Sequence, residues 1–144
     1  LFLWLIGTCL ISCKNNKKNT AHFNHVAIYV VNLERSVEFY KNIFNFDKLK
    51  DPFNDDKHYW FKIGKKSMLH IILGADSTKQ YYINQHTCYS VHNLEEVVTK
   101  LQKMNWEYCD KNQIKNKITT REDGVKQIYF KDPDGYWLEV NNDF

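Results

Sequence analysis

The stretch that decides the fold is HVAIYVVNLE at residues 25–34, because it returns as HTCYSVHNLE at residues 86–95. The copies begin 61 residues apart (His25 to His86) and share His, Val, Asn, Leu and Glu at equivalent places. Each copy reads as a half-buried strand that runs into a helix. A repeat of this kind indicates a duplicated structural unit.

An amphipathic helix follows each strand. Asn32 and Asn93 stand where an N-cap belongs, since an Asn side chain accepts from the first free helix amides. The helices are predicted at about Leu33–Ile43 and Leu94–Met104. Apolar residues recur at helical spacing and predict that one face of each helix packs on its strands. They are Leu33, Val37, Tyr40, Leu94, Val97, Val98 and Leu101.

The later parts of the copies also match. FK at residues 61–62 returns as FK at residues 130–131, so the offset has grown from 61 to 69 residues. The added residues fall in the polar stretch 110–123, which is predicted to be a loop. Each copy thus reads as a strand, a helix and three strands, with residues 74–85 between the copies.

The first twelve residues, LFLWLIGTCLIS, form an uncharged apolar run. It is too short to span a bilayer as a helix, which needs about 20 residues, and is typical of a signal peptide. Its end at Ser12-Cys13 resembles a bacterial lipobox, where cleavage before the Cys is followed by acylation of the thiol. We expect a partial lipoprotein signal peptide at 1–12, a polar tether at 13–21 and one domain at 22–144. The protein would then be anchored in the cell envelope through lipid on Cys13 and face the periplasm or the exterior.

Composition limits the class of protein. The 144 residues suffice for one domain, and with 43% apolar and 15% aromatic residues they can form a hydrophobic core. A net charge of +3 without a basic face interleaved with aromatics argues against a nucleic-acid partner. Cys88 and Cys109, the cysteines of the domain, have neither CxxC nor zinc-finger spacing, and they predict no disulfide framework.

This order of elements resembles the vicinal oxygen chelate superfamily, which includes glyoxalase I, methylmalonyl-CoA epimerase, extradiol dioxygenases, and fosfomycin and bleomycin resistance proteins. The resemblance covers about residues 23–142, and its most specific parts are NHV at 24–26, NLERSVEFY at 32–40 and FKDPDGYWLEV at 130–140. It implies an α+β fold in which two βαβββ modules form a cupped mixed sheet with the helices on the outer face. It also implies a small-molecule substrate, and a homodimer that builds the cup from both chains is one arrangement that such proteins use.

Four metal-capable side chains lie on the polar faces of the predicted strands. Period-two alternation turns the apolar residues towards the helices and His25, His70, His86 and Glu139 the other way. In the superfamily this face holds a divalent ion, so the resemblance implies that these four residues are its ligands. Neutral imidazoles and a carboxylate suit zinc, nickel, cobalt, manganese or iron(II). Glu139 is also the candidate catalytic base.

Three functions stay open at this point. The first is a metal-dependent glyoxalase-like lyase or isomerase that acts on a small oxygenated substrate through a metal-stabilised enediolate. Glyoxalase I has a Glu where this chain has His70, so Glu139 alone remains to move the proton. The second is an iron(II) extradiol-type dioxygenase, for which His25, His86 and Glu139 form a two-His-one-carboxylate triad. The third is a non-catalytic lipoprotein that binds a metal or a small molecule.

The remaining histidines, Cys88 and Trp60 are expected to lie outside the set of metal ligands. We expect His22, His58 and His92 at the surface or beside the ligands. Cys88 is expected in the pocket wall, since no partnered base stands beside it in the sequence. Trp60 is expected to pack in the fold, with a place in the lining of the cup as the alternative.

Overall fold

The computed structural model describes residues 19–144. The predicted signal peptide and the acylation site at Cys13 lie outside the described residues, which begin within the predicted tether. No helix between residues 19 and 144 has both the length and the apolar character that a bilayer crossing requires.

The chain repeats one succession of elements, a strand, a helix and three further strands. Module 1 comprises β1 (His25–Val30), α1 (Leu33–Phe44), β2 (Asp47–Lys48), β3 (His58–Lys62) and β4 (Met68–Leu73). Module 2 comprises β5 (His86–Ser90), α2 (Leu94–Lys103), β6 (Thr119–Thr120), β7 (Lys126–Lys131) and β8 (Trp137–Asn141). The predicted duplication is confirmed.

Each module forms a four-stranded mixed sheet, with strand orders β1-β4-β3-β2 and β5-β8-β7-β6. The first strand of a module pairs in parallel with the last, which pairs antiparallel with the strand before it. Parallel strands need a long crossover connection, and in each module this connection includes the helix. The predicted α+β fold of paired βαβββ modules is therefore confirmed, and β1 and β5 are outer strands of their sheets.

Both helices begin where their asparagine caps predict. The side-chain oxygens of Asn32 and Asn93 accept backbone N–H groups at 2.9 and 3.1 Å, and both residues have the extended backbone of an N-cap. The ends differ from the prediction by one residue, because α1 continues through Phe44 and α2 stops at Lys103. Asn45 closes α1 in the left-handed conformation, with φ at 55°.

The helices and the apolar faces of the strands enclose a core that both modules share. On β1, Ile28 and Val30 are buried while His25 and Tyr29 are exposed, which confirms the predicted alternation. The inner strands bury their predicted apolar residues, which are Leu69, Ile71, Leu138 and Val140. Phe44 of α1 packs on Tyr89 of β5 with ring centroids 4.7 Å apart. Contacts of this kind join the modules through their helix-side faces.

The turn between β7 and β8 binds module 2 to module 1. The Asp134 carboxylate accepts hydrogen bonds from the Val31 N–H at 2.8 Å and the Ser36 hydroxyl at 2.6 Å. The Asp132 carboxylate accepts one from the Tyr40 hydroxyl at 2.8 Å. Both carboxylates are buried, so loss of these donors would leave polar oxygens without compensation.

The polar stretch 110–123 is more ordered than the expected loop, and this corrects the sequence prediction. It contains β6, which pairs antiparallel with β7. The buried carboxylate of Asp110 organises the start of the stretch by accepting the N–H groups of Asn112 and Ile114. Alternation of polar and apolar residues does not reveal a strand of two residues, and a side chain that binds the backbone leaves no periodic signal.

Candidate metal centre

His25 and His70 lie side by side on the polar face of module 1, with ring centroids 6.1 Å apart. Nδ1 of His25 is 2.7 Å from the side-chain oxygen of Asn24. Since that oxygen can only accept, Nδ1 carries the proton and Nε2 the lone pair. Nε2 of His70 is buried and has no hydrogen-bond partner among residues 19–144. Each imidazole thus has a nitrogen that could bind a metal ion.

The surroundings of His70 keep it neutral. Burial lowers its pKa, and the neighbouring His58 and His25 lower it further. Trp60 stacks on the imidazole with ring centroids 3.7 Å apart. The His58 ring lies 5.2 Å from the His70 ring, and its Nδ1 is 2.8 Å from a carboxylate oxygen of Asp55. Neutral imidazole is the form that ligates metals.

His86 and Glu139 form the second pair, on β5 and β8 of module 2. Nε2 of His86 is 3.1 Å from Oε2 of Glu139, while Nδ1 of His86 is 2.7 Å from the carbonyl oxygen of Ile83. Nδ1 therefore donates to that carbonyl, and Nε2 is the ring atom that faces the carboxylate. A proton on Nε2 or a metal ion between the two atoms would balance this approach. The separation of 3.1 Å is an ordinary hydrogen-bond distance, and it also lies within the range of about 3.0–3.4 Å between two ligand atoms of one tetrahedral or octahedral ion.

Polar side chains of β7 and β8 hold the Glu139 carboxylate. The Tyr129 hydroxyl donates to Oε2 at 2.6 Å, the Asn141 amide donates to Oε1 at 3.2 Å, and the Gln127 amide donates to the Tyr129 oxygen at 3.0 Å. Burial alone raises the pKa of Glu139, but hydrogen bonds from Tyr129, Asn141 and Cys88, together with the charge interaction with His86, outweigh it and leave the pKa below its usual value. The carboxylate is therefore ionised at neutral pH, as a metal ligand must be.

Sequence reasoning missed this network. Tyr129 pairs with Glu139 in the strand register, and Gln127 pairs with Asn141. These four residues lie on the polar face of the sheet. The alternation of side chains along β7 and β8 could therefore have identified Gln127, Tyr129 and Asn141 as neighbours of Glu139.

Cys88 lies beside Glu139 in the register of β5 and β8. Burial of the thiol, together with the negative charge of Glu139, raises the pKa of Cys88 to about 12. The thiol stays protonated at neutral pH, which favours a place in the wall over a nucleophilic role. Within residues 19–144, Cys88 and Cys109 form no disulfide.

The structure brings the four predicted ligands together as two pairs, one in each module. Among residues 19–144, no three His, Cys, Asp or Glu side chains converge closely enough to hold one metal ion. Alternation predicted which face each side chain occupies, and it carries no information on the distance between the modules. The donor set still fits a divalent ion, because each pair presents the atoms that such an ion binds.

Comparison with known proteins finds a family model and a relative that match most of the chain. Residues 22–140 match the family model described as Glyoxalase/Bleomycin resistance protein/Dioxygenase superfamily. Over 135 residues the chain is 22% identical to Glyoxylase I 4 of Arabidopsis thaliana, covering 88% of this chain and 74% of that protein.

Two solved structures show the same fold. Oxidase ChaP-H2 has a TM-score of 0.70 at 18% identity, with 85% of this chain and 93% of that chain covered. The fosfomycin resistance protein FosX from Listeria monocytogenes has a TM-score of 0.66 at 19% identity, with 85% and 93% covered. At such identities the likeness concerns the fold and not the reaction.

Proposed function

Because this chain belongs to the Glyoxalase/Bleomycin resistance protein/Dioxygenase superfamily, we propose that it is a metal-dependent lyase or isomerase of the glyoxalase type. Its substrate is a small oxygenated compound, and His25, His70, His86 and Glu139 are the metal ligands. The observation that carries the proposal is the 3.1 Å approach of His86 Nε2 to the Glu139 carboxylate, with His86 Nδ1 donating elsewhere. In the proposal this pair supplies two of the four ligands, and the bond of Nδ1 to a carbonyl orients the His86 ring.

His25 lies on β1 and His86 on β5, the outer strands of the two sheets, and both residues are exposed. These strands already lie near each other within one chain, because residues 26–28 of β1 line one pocket with residues 85–87 at the start of β5. The site in this proposal therefore joins the histidine pair of module 1 to the His–Glu pair of module 2 of the same chain. The lipobox-like sequence that ends at Cys13 supports a lipid-anchored location in the cell envelope.

The residues of the chain have separate roles in this reaction. When bound, a divalent ion supplies Lewis acidity to the substrate oxygens. Glu139 takes a proton from one substrate carbon and returns it to the neighbouring carbon. Hydrogen bonds from Tyr129 and Asn141 keep Glu139 ionised and fix its orientation before the substrate arrives. Its lowered pKa makes Glu139 available as a base at neutral pH.

The burial of His70 favours a second candidate function, that of an iron(II) oxygenase. The residue is 6% exposed, and Phe53 stacks above its ring with centroids 6.0 Å apart. If this cover holds His70 away from the metal, His25, His86 and Glu139 remain as a two-His-one-carboxylate triad with open positions. Iron with uptake of dioxygen would support the oxygenase. Zinc, nickel or cobalt with turnover of a methylglyoxal–thiol adduct would support the lyase.

Replacing His86 tests the metal site directly. We expect the wild-type chain to retain zinc in a fixed ratio after dialysis, and His86→Ala to lose this retention because Glu139 cannot hold the ion alone. Elemental analysis of the purified proteins measures the ratio. His92→Ala is the matched control, since the His92 ring packs on Phe144 and lies outside both pairs. An unchanged zinc ratio in a folded His86→Ala protein would contradict the proposal.

A further inference from the structure

Trp60 and His70 carry two buried nitrogen atoms that lack hydrogen-bond partners among residues 19–144. The residues pair across β3 and β4, so that both side chains lie on the same face of the sheet. Their rings stack with an interplanar angle of 13°. Trp60 is 9% exposed, and its indole Nε1 is shielded from solvent. A buried donor without an acceptor costs about 1–3 kcal/mol, so the Trp60 N–H in this stack indicates a position that an oxygen acceptor from outside the chain completes.

The other tryptophans of the domain show that an indole N–H without an acceptor is particular to Trp60. The Trp106 indole N–H donates to the carbonyl oxygen of Lys131 at 2.7 Å. The Trp137 indole N–H donates to the carbonyl oxygen of Tyr81 at 3.0 Å. The fold therefore supplies acceptors for indole groups that only pack, and Trp60 departs from this pattern.

Trp60 also lies beside the first ligand pair. The His25 ring is 5.4 Å from the Trp60 ring, with an edge-on orientation, and 6.1 Å from the His70 ring. An ion held by these two imidazoles is thus next to the indole. An indole N–H can only donate, and its nitrogen is not a metal ligand. What it can bind there is an oxygen of a molecule that also reaches the ion.

We propose that Trp60 is a substrate-positioning residue whose indole N–H donates to an oxygen of the substrate. These two binding points define the substrate class. The substrate is a small compound with at least two oxygen atoms, one of which binds the metal ion while another accepts from Trp60. This inference rests on the proposed function, because it needs an ion at His25 and His70. A donor fixed before binding orients the substrate at little cost in ordering.

Phe53 controls access to this donor. Its ring stacks over His70 at 6.0 Å and over Trp60 at 6.5 Å. The residue belongs to the segment between β2 and β3 and is 56% exposed. A substrate oxygen therefore reaches the Trp60 N–H when the Phe53 side chain moves aside, without any change in the sheet.

Nuclear magnetic resonance of the indole groups tests the proposal. The chain is labelled with 15N-tryptophan, loaded with zinc and titrated with oxalate, a dianion with several oxygen acceptors. We expect the Trp60 indole proton to move downfield as its N–H gains an acceptor. The Trp106 and Trp137 signals should stay in place, because their N–H groups are already bonded. The spectrum of Trp60→Phe identifies the Trp60 signal.

Affinities provide the second measurement. Trp60→Phe should bind oxalate about tenfold more weakly in the zinc-loaded state, as expected for one lost hydrogen bond, and should bind zinc as the wild type does. Trp106→Phe is the matched control and should keep both affinities. If Trp60→Phe does not fold, 3-benzothienylalanine at position 60 keeps the shape of the ring and removes the N–H.

The outcomes separate this inference from the function on which it rests. Oxalate binding without a shift of the Trp60 signal overturns the role of Trp60 and leaves the metal site intact. Failure of zinc to bind the wild-type chain overturns the proposed metal site and the role of Trp60 with it. A downfield shift confined to Trp60, together with weaker oxalate binding by the variant, supports the proposal.

Discussion

At the scale of single residues, His25 and His86 are oriented by the ring nitrogen that each would not use for metal binding. Nδ1 of His25 donates to Asn24, and Nδ1 of His86 donates to the Ile83 carbonyl. Each bond selects the tautomer that leaves Nε2 as the metal-binding atom. Glu139 is held at both oxygens, because Tyr129 donates to Oε2 and Asn141 donates to Oε1. Such contacts fix the orientation of the ligands during folding, so that little ordering remains when an ion binds.

Tyr129→Phe tests this orientation at Glu139. The change removes the hydroxyl that donates to Oε2 at 2.6 Å and keeps the ring. We expect the affinity for zinc to fall roughly 10–100-fold, as for other residues that support a metal ligand. Competition with a chromophoric chelator measures it. Tyr108→Phe is the control, because the Tyr108 hydroxyl bonds Asn116. Equal zinc affinities of the two variants would show that Tyr129 does not position the carboxylate.

At the scale of elements, each helix depends on its own cap. The Asn93 side chain accepts the Glu96 N–H at 3.1 Å, and Asn93 is exposed. Asn93→Ala should therefore lower the free energy of unfolding by about 1 kcal/mol, without a change in the core. Urea denaturation measures the loss. Asn93→Ser, which restores an oxygen acceptor, should recover most of it. If alanine and serine gave the same stability, the cap would not contribute to α2.

The elements were predictable to the extent that their signals are local. The Asn caps, the helical spacing and the alternation in β1 each lie within a few residues, and the structure follows them. The short strand Thr119–Thr120 was not predicted, because two residues show no period. The separation of the ligand pairs was not predicted either. It depends on contacts such as that of Ser36 with Asp134, which join residues far apart in the chain.

At the scale of the whole molecule, the turn between β7 and β8 joins the modules through buried acids. Asp132 and Asp134 reach from module 2 to α1 and to the residue after β1. Burial raises the pKa of Asp132 to about 6, and the negative charge of Asp134 acts in the same direction. Hydrogen bonds from Tyr40 and from the turn backbone offset only part of the effect of burial. The junction therefore contains a carboxyl group that binds its proton more tightly in the folded chain than in the unfolded chain.

The raised pKa of Asp132 determines how the free energy of unfolding changes with pH. The ordinary pKa of the group is 3.8, so its contribution to the free energy of unfolding is fully present below about that pH and is lost as the pH rises through about 6. This difference between the pKa of Asp132 in the folded chain and its ordinary pKa corresponds to roughly 3 kcal/mol of stability. Tyr40 of α1 and Tyr89 of β5 face Asp132 from other elements, and Tyr136 lies in the same turn as Asp132. The pKa of each is raised, so they stay neutral throughout this range.

Urea denaturation of the wild type and of Asp132→Asn between pH 4 and pH 7 tests this assignment. Asparagine keeps an acceptor for the turn and has no charge to bury, whereas the wild type must ionise a buried carboxyl at neutral pH. The stability of the wild type relative to the variant should therefore decrease as the pH rises. The stability of the variant relative to the wild type should be greatest at pH 7. Asp76→Asn, at an exposed carboxylate, should show no such decrease. A relative stability that stays constant or increases with pH would mean that Asp132 is already ionised in the folded chain. The junction would then be held by a charged hydrogen-bond network and not by a protonated acid.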